Sequence, residues 1–183
     1  MATDVTINDQ FVFFWGGWPS QWFKTAFQIE GVTYNCCEQF MMAEKARVFG
    51  DDEALRAILA AKNPRDQKAW GRKVANFDET AWNDVCRGIV YRGNLAKFEQ
   101  NQSLQNLLRA TEDRTIVEAS PRDRIWGIGL STNDARASDP SQWRGTNWLG
   151  IALMQVRKTL CDAADAGVDD ELRKQLDQRD AQC

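Results

Sequence analysis

Glu38 and Lys45 are the residues whose types and spacing first suggest chemistry. They lie seven positions apart, about two turns of a helix, so in the helical pattern of residues 35–46 both fall on the apolar face beside Met42. Burying charge needs compensation, and a buried ion pair is often no more stable than apolar side chains. The pattern therefore indicates either a pocket in which both groups face a ligand, or a capping box at Glu38 with a lysine that reaches water.

A second group of candidate residues follows a predicted strand. The segment EASPRDRIWGIG, residues 118–129, contains a proline turn, an acid, an aromatic residue and closely spaced glycines. Such a turn brings Asp123 and Trp126 to the rim of a cleft, and Gly127 allows close approach of the backbone. The alternative is an ordinary turn in which Asp123 caps local N–H groups.

A third group, WRGTNWLG at residues 143–150, leads into the last predicted helix. The N–H groups at a helix start attract anions, so Arg144, Gly145 and Asn147 are candidate phosphate-binding residues. The segment lacks the glycine spacing of nucleotide-binding loops, and neither GxGxxG nor GxxxxGK[ST] occurs in the chain. Nucleotide hydrolysis of the P-loop type is therefore not expected.

The amino-acid composition limits the available chemistry. The 183 residues include no histidine, which removes the commonest general base and a principal metal ligand. Five cysteines, an odd number without CxxC spacing, favour reduced thiols over disulfides or zinc ligands. Catalysis would then use carboxylates, lysine, a thiol or backbone dipoles, and we expect no metal and no cofactor.

The net charge of −3 argues against a stable nucleic-acid groove, because such binding needs clustered Lys and Arg. A local basic pocket for a small anionic substrate is compatible with this charge. No segment resembles a secretion signal or a membrane span, which predicts a cytoplasmic protein without a membrane partner. The oligomeric state is left open. Some of the eight tryptophans are candidates for stacking on a planar ligand, although most are expected in the core.

Hydrophobic periodicity predicts a mainly α fold with a few short β-strands. Alternating apolar residues around Glu30 and Gly31 indicate a hairpin, and the run at residues 116–118 indicates a further strand. Helical spacing begins near residues 35, 51, 66, 78, 104 and 147. Residues 131–146 form a long polar loop, which usually means function or disorder.

Four motifs, taken in order, closely resemble the YbiA-like or NADAR family. They are GVTYNCCEQFMMAEKARVFGD at 31–51, FDETAWNDVCRGIVYRGNLAKF at 77–98, VEASPRDRIWGIGL at 117–130 and WRGTNWLGIALMQVRKTL at 143–160. The resemblance covers about residues 11–160 and implies a single compact YbiA-like domain, placed here at 1–161. The polar composition of residues 162–183 predicts a frayed helix or a disordered tail.

The resemblance also implies site residues. The family's functional acid falls on Glu38 and its lysine on Lys45. The tryptophan of the middle helix falls on Trp82, and the aspartate before the WG pair falls on Asp123. Trp82 and Trp126 would stack on the base or the sugar of a substrate.

The activity implied by the resemblance is metal-independent hydrolysis of the C–N bond of a ribosyl compound. The implied substrates are ADP-ribosylated guanine or phosphorylated intermediates of riboflavin biosynthesis. Lys45 could also attack the C1 of an opened sugar as a Schiff base, because an apolar pocket lowers the pKa of an amine. Many relatives read SNF where residues 20–22 read SQW, so the substrate is left open. The alternative from another class is a non-catalytic module that binds ADP-ribose or a nucleotide.

Overall fold

The structure of the protein, a computed structural model, describes residues 4–180 and, in the last helix, the side chains of residues 148–164 and 166. Within these residues six α-helices accompany five short strands, which confirms the predicted fold class. The elements are β1 (Val5–Ile7), β2 (Phe11–Phe14), β3 (Phe27–Ile29), β4 (Val32–Tyr34), α1 (Cys37–Val48), α2 (Asp52–Ala60), α3 (Pro64–Gly71), α4 (Glu79–Glu99), α5 (Gln102–Arg109), β5 (Thr115–Glu118) and α6 (Trp148–Asp180).

The larger sheet has the strand order β1-β2-β5, with β2 antiparallel to β1 and parallel to β5. All four residues of β2, FVFF, are buried because each face of the sheet is covered. Val12 and Phe14 pack into the main helical core, while Phe11 and Phe13 pack into a smaller core on the other face. The parallel pairing places the carboxyl ends of β2 and β5 at one edge, where Phe14 lies opposite Glu118.

Helix α1 is the centre of the helical layer and contacts α2, α3 and α4. Its residues 37–43 are all buried, which explains why its apolar and polar positions do not separate cleanly into two faces. Helix α4 approaches α1 closely at Gly93, where a Cβ atom would lie 2.6 Å from the ring of Phe40. Gly93 thus costs helix propensity but permits the close packing of these two helices.

Three helix starts follow the sequence signals. Asp51, Asn63 and Asp78 each occupy the N-cap and accept a hydrogen bond from a backbone N–H of the first turn. In the smaller sheet, β3 and β4 form the predicted hairpin, with Glu30 and Gly31 both at positive φ.

The start of α1 differs from the prediction, and the capping box at Glu38 is wrong. Cys36 is the N-cap and makes no side-chain capping bond. A capping box at Glu38 requires Asn35 as the N-cap, but the side chain of Asn35 bonds Gln67 and the carbonyl of Ala61. The backbone N–H of Glu38 donates to the carbonyl of Gln21 at 3.0 Å, so a loop rather than a side chain closes this helix end.

The C-terminal part of the chain is helical over a longer stretch than the core requires. Helix α6 begins at Trp148 and continues through Asp180. The predicted boundary at residue 161 and the tail at 162–183 therefore stay predictions, and residues 1–3 and 181–183 lie outside the described residues. The polar loop at 131–146 contains two short 3-10 helices, Ala135–Ser138 and Pro140–Gln142.

None of the described helices is long and apolar enough to cross a membrane.

Candidate active site

A cavity of about 210 Å³ lies where α1 and α3 meet the carboxyl edge of the larger sheet. Its wall is completed by the loop after β2 and by the turn after β5. Four of the predicted residues line it, namely Glu38, Lys45, Asp123 and Trp126. Two groups of residues more than seventy positions apart in the chain therefore meet in one space.

Glu38 lies in the first turn of α1 and is 5% exposed. Burial raises the pKa of its carboxyl group above the usual value, and the negative charge of Asp123 acts in the same direction. The cations of Lys68 and Arg72 and the indole of Trp22 oppose this rise. Because its pKa is raised, the Glu38 carboxylate is a stronger base than an exposed glutamate.

Lys45 lies two turns further along α1 and is partly buried among aromatic rings. Its Nζ is 3.9 Å from the ring centroid of Phe77 and 5.7 Å from that of Trp82. Burial lowers the pKa of this amine. Among the described residues, no carboxylate lies within ion-pair distance of Lys45. The ring of Trp82 therefore lies near the Lys45 amine, although Trp82 does not line the cavity.

Asp123 combines the two roles that the sequence left as alternatives. Its Oδ1 accepts backbone hydrogen bonds from Ile125 at 2.9 Å and from Trp126 at 2.8 Å, which is the local turn predicted as one possibility. The same side chain lines the cavity. The turn therefore fixes the carboxylate in place and holds Trp126 beside it.

Glu118, the last residue of β5, is a third carboxyl group in the cavity wall and was not among the predicted site residues. Its backbone N–H donates to Oδ1 of Asn147 at 3.0 Å. Its Oε2 is buried and has no hydrogen-bond partner within the described part of the chain. Burial, opposed in part by Lys68, raises the pKa of Glu118 to about 8, and the charges of Asp123 and Glu38 add to the rise.

The loop after β2 forms one side of the cavity, and hydrogen bonds from α4 fix its position. Lys97 of α4 is completely buried, and its Nζ donates to the carbonyl oxygens of Trp18 at 2.7 Å and Ser20 at 3.0 Å. The next residues of the loop, Gln21 and Trp22, line the cavity. Lys97 therefore connects the helical core to the part of the site that differs from the SNF pattern.

A wider, open groove continues from the cavity and shares Trp22, Lys68, Arg72 and Asp123 with it. The groove is lined by five cationic residues and one acid; the cationic residues are Arg65, Lys68, Arg72, Arg122 and Arg124. None of them forms an ion pair within residues 4–164. The groove is therefore locally positive although the net charge of the chain is −3. The predicted absence of a nucleic-acid groove, which used the net charge, stays a prediction.

Four other predicted residues lie outside the cavity lining. A Cβ at Gly127 would lie 2.8 Å from the carbonyl of Glu118, and one at Gly145 would collide with the carbonyl of Gly127. Asn147, at φ 52° and 1% exposed, donates to the carbonyl of Ile116 and accepts from Glu118. These three residues allow the turn after β5 and the start of α6 to pack closely against each other and against β5.

Arg144 is exposed, and its backbone N–H donates to Ile128. It too lies outside the lining of the cavity and of the groove. The substrate-binding roles of Arg144 and of the three packing residues therefore stay predictions.

Comparison with known proteins identifies the family. The model described as NADAR domain matches residues 13–161, which is most of the chain. The chain belongs to the NADAR family. It is 40% identical over 164 residues to N-glycosidase R617 of Acanthamoeba polyphaga mimivirus, covering 82% of this chain and 96% of that protein. It is 42% identical over 129 residues to Protein irg-1 of Caenorhabditis elegans, covering 69% of this chain and 61% of that longer relative.

One solved structure is similar to this protein in its fold. The NMR structure of the E. coli protein YbiA superposes with a TM-score of 0.71 at 24% sequence identity, covering 89% of this chain and 92% of that chain. This likeness establishes the fold. The expected YbiA-like architecture is therefore confirmed for the NADAR domain described here.

Sequence reasoning did not place Glu118, Lys68 and Trp22 at this cavity, which they line in the structure. A usable signal for Glu118 existed, since a polar residue that ends a buried apolar strand lies at the strand's carboxyl end. Lys68 lies in a basic run with Arg65, Arg72 and Lys73, and such a run by itself indicates only a solvated helix face. Its approach to the cavity depends on how α3 packs against α1, which periodicity does not specify.

Proposed function

We propose that this NADAR protein is an N-glycosidase that hydrolyses the C–N bond of a phosphorylated ribosyl compound. The observation that carries the proposal is the convergence of Glu38, Lys45 and Asp123 in one cavity that opens into a cationic groove. The printed name of its mimiviral relative, N-glycosidase, supports the same class of reaction.

Cleavage of a ribosyl C–N bond builds positive charge on the sugar, and a fixed carboxylate stabilises that charge. Asp123 suits this role because backbone N–H groups hold it in one orientation. Glu38, with its raised pKa, suits the removal of a proton from the attacking water. Trp126, in the cavity wall, offers a planar surface for the base or the sugar.

Lys45 offers chemistry that the acids do not. Its amine has a lowered pKa and no ion-pair partner among the described residues, and both features favour the neutral, nucleophilic form. In our proposal this amine can add, after the base has left, to the C1 carbonyl of the ring-opened ribose, losing water to form an imine that water later hydrolyses to the free sugar and the free amine.

The groove favours a substrate with more than one phosphate group. Five cationic side chains without ion-pair partners in the described region surround a space of about 820 Å³ beside the cavity. Trp15 and Trp22, 64% and 43% exposed, lie along the same groove and provide stacking surfaces. These features fit ADP-ribose attached to guanine better than a small monophosphate.

The test is direct incubation with both substrate classes. Purified protein is mixed with ADP-ribosylated guanine, as nucleotide and in an oligonucleotide, and separately with phosphorylated ribosylaminopyrimidine, and released sugar and base are quantified. We expect release from the first class and a loss of at least about 100-fold with Glu38→Gln. A parallel reaction with cyanoborohydride is expected to leave a mass adduct on Lys45.

The outcomes separate the alternatives. Tight binding of ADP-ribose with no product from any substrate contradicts the proposal and favours the non-catalytic module. Faster turnover of the pyrimidine overturns the choice of substrate but not the reaction class. Normal turnover without an adduct limits Lys45 to electrostatic stabilisation.

A further inference from the structure

Glu118 is the one carboxyl group of the cavity that the proposed chemistry has not used. It stands at the carboxyl end of β5, where its backbone is fixed on two sides. Its N–H donates to Asn147, and its carbonyl accepts from the N–H of Ile128 at 3.0 Å. The side chain turns into the cavity wall, and Oε2 is buried without a partner among the described residues.

An unpartnered buried oxygen is costly in a folded protein, so a structural role would normally provide a donor or acceptor for it. Because Glu118 lines the cavity, a ligand bound there is the candidate partner for this carboxyl group. A carboxyl group in this position can give a proton to a ligand atom, whereas a glutamine could only offer an amide hydrogen bond.

We infer that Glu118 is a further catalytic residue, the general acid that protonates the departing base. This inference rests on the proposed N-glycosidase function. In the step, the C–N bond breaks and its electron pair goes to the base nitrogen. That nitrogen takes the proton from Oε2 of Glu118, while the water oxygen bonds to C1 and its proton passes to Glu38. Proton exchange with solvent then returns both carboxyl groups to their starting states.

The charges around Glu118 are consistent with a protonated resting state. Asp123 and Glu38 face it from the following turn and from α1, and both favour the neutral acid. Lys68 faces it from α3 and opposes that effect, but burial is the largest influence. With a pKa raised to about 8, Glu118 holds its proton at neutral pH and can still release it during turnover.

The experiment compares the pH dependence of kcat/KM for the wild type, Glu118→Gln and Glu118→Asp on the substrate with the highest turnover. We expect the wild-type rate to fall above about pH 8, where Glu118 loses its proton. We expect Glu118→Gln to be slower by about 100-fold or more and to lose this alkaline decline. Glu118→Asp is expected to restore part of the rate and a decline with pH.

Two results overturn the inference. One is a Glu118→Gln enzyme within about twofold of the wild type, and the other is a slow variant that keeps the full alkaline decline. Glu99→Gln, an exposed carboxyl at the end of α4, is the matched control and should match the wild type at every pH.

A measurement independent of turnover guards against a folding defect. The infrared difference spectrum of wild type minus Glu118→Gln at pH 7 should contain the band of a protonated carboxyl group, which disappears by pH 10. Its absence also overturns the inference. If no substrate is turned over by the wild type, the proposed function fails, while this spectrum still reports whether Glu118 carries a proton.

Discussion

Glu118 and Glu38 are held where their ionised forms are unfavourable, so both reduce the stability of the folded state at high pH. For Glu118 the direction of this pH effect on folding stability follows from its pKa. Its folded-state pKa of about 8 lies above the ordinary value of 4.5, so between these pH values the folded protein binds more protons than the unfolded chain. Stability contributed by the neutral acid is therefore complete below about pH 4 and is lost as pH rises through 8.

Glu118→Gln should consequently stabilise the protein at alkaline pH. We expect the free energy of unfolding at pH 9 to rise by roughly 1–4 kcal/mol, with the difference shrinking towards pH 4. Urea denaturation at pH 4, 7 and 9 measures this, with Glu99→Gln as control. A variant that is less stable than the wild type at pH 9 would contradict the burial of a protonated acid.

At the level of elements, the loop after β2 depends on α4 for its shape. Lys97 offers the only charged donor to the carbonyls of Trp18 and Ser20 in the described structure, and burial lowers the pKa of its amine. Asn94, one turn earlier on α4, donates to the side chain of Gln21 at 2.9 Å. One helix therefore sets the position of a cavity wall that is distant in sequence.

Lys97→Met should loosen this loop. The carbonyl of Trp18 loses its lysine donor, and that of Ser20 keeps only the backbone N–H of Phe23. This loss corresponds to about 1–3 kcal/mol of local stability, so amide hydrogen exchange in residues 18–23 should accelerate about tenfold or more. Mass spectrometry after deuterium labelling measures the exchange. Lys24→Met, an exposed lysine just beyond the loop, is the control. Unchanged exchange in Lys97→Met would mean that other contacts hold the loop.

The sequence predicted the helices and the hairpin well because their signals are local: caps at Asp51 and Asp78, apolar spacing, and the Glu30-Gly31 turn. It predicted neither β1 nor β2, since three- and four-residue strands next to an aromatic, glycine-containing segment lack a clear period. The start of α1 was wrong because a tertiary contact to Gln21 replaced the expected side-chain cap.

The cavity residues that could be predicted are those whose sequence signals lie within one turn or one helix. Asp123 and Trp126 belong to one turn, and Glu38 and Lys45 to one helix, so spacing and family resemblance found them. Asn147 fits its predicted helix start, but the amide side chain bonds β5 rather than facing the cavity. That choice depends on the packing of α6 against the sheet, which no local pattern encodes.

Viewed as a whole molecule, the protein carries its positive charge unevenly. The groove beside the cavity gathers five cations although the chain has a net charge of −3. Local charge of this kind acts over about 10 Å at moderate ionic strength and is screened by salt. The binding of a phosphate-rich substrate should therefore depend on salt and on the individual groove cations.

Removing groove cations should weaken binding without affecting folding. We expect Arg65→Ala and Arg122→Ala each to raise the KM for an ADP-ribosyl substrate about two- to fivefold at 50 mM salt, and the effect to disappear near 0.5 M. Steady-state kinetics across this salt range measures it. Arg56→Ala, an exposed site on α2, is the control. Equal KM values for all variants at low salt would place the phosphates elsewhere.

Trp22 belongs to both the cavity and the groove and is 43% exposed. Its indole emission should therefore respond when either space is filled, which gives the unlabelled protein a built-in optical reporter. Subtracting the spectrum of Trp22→Phe isolates that signal from the other seven indoles. Titrations that follow it can then rank candidate compounds by affinity before any turnover is detected.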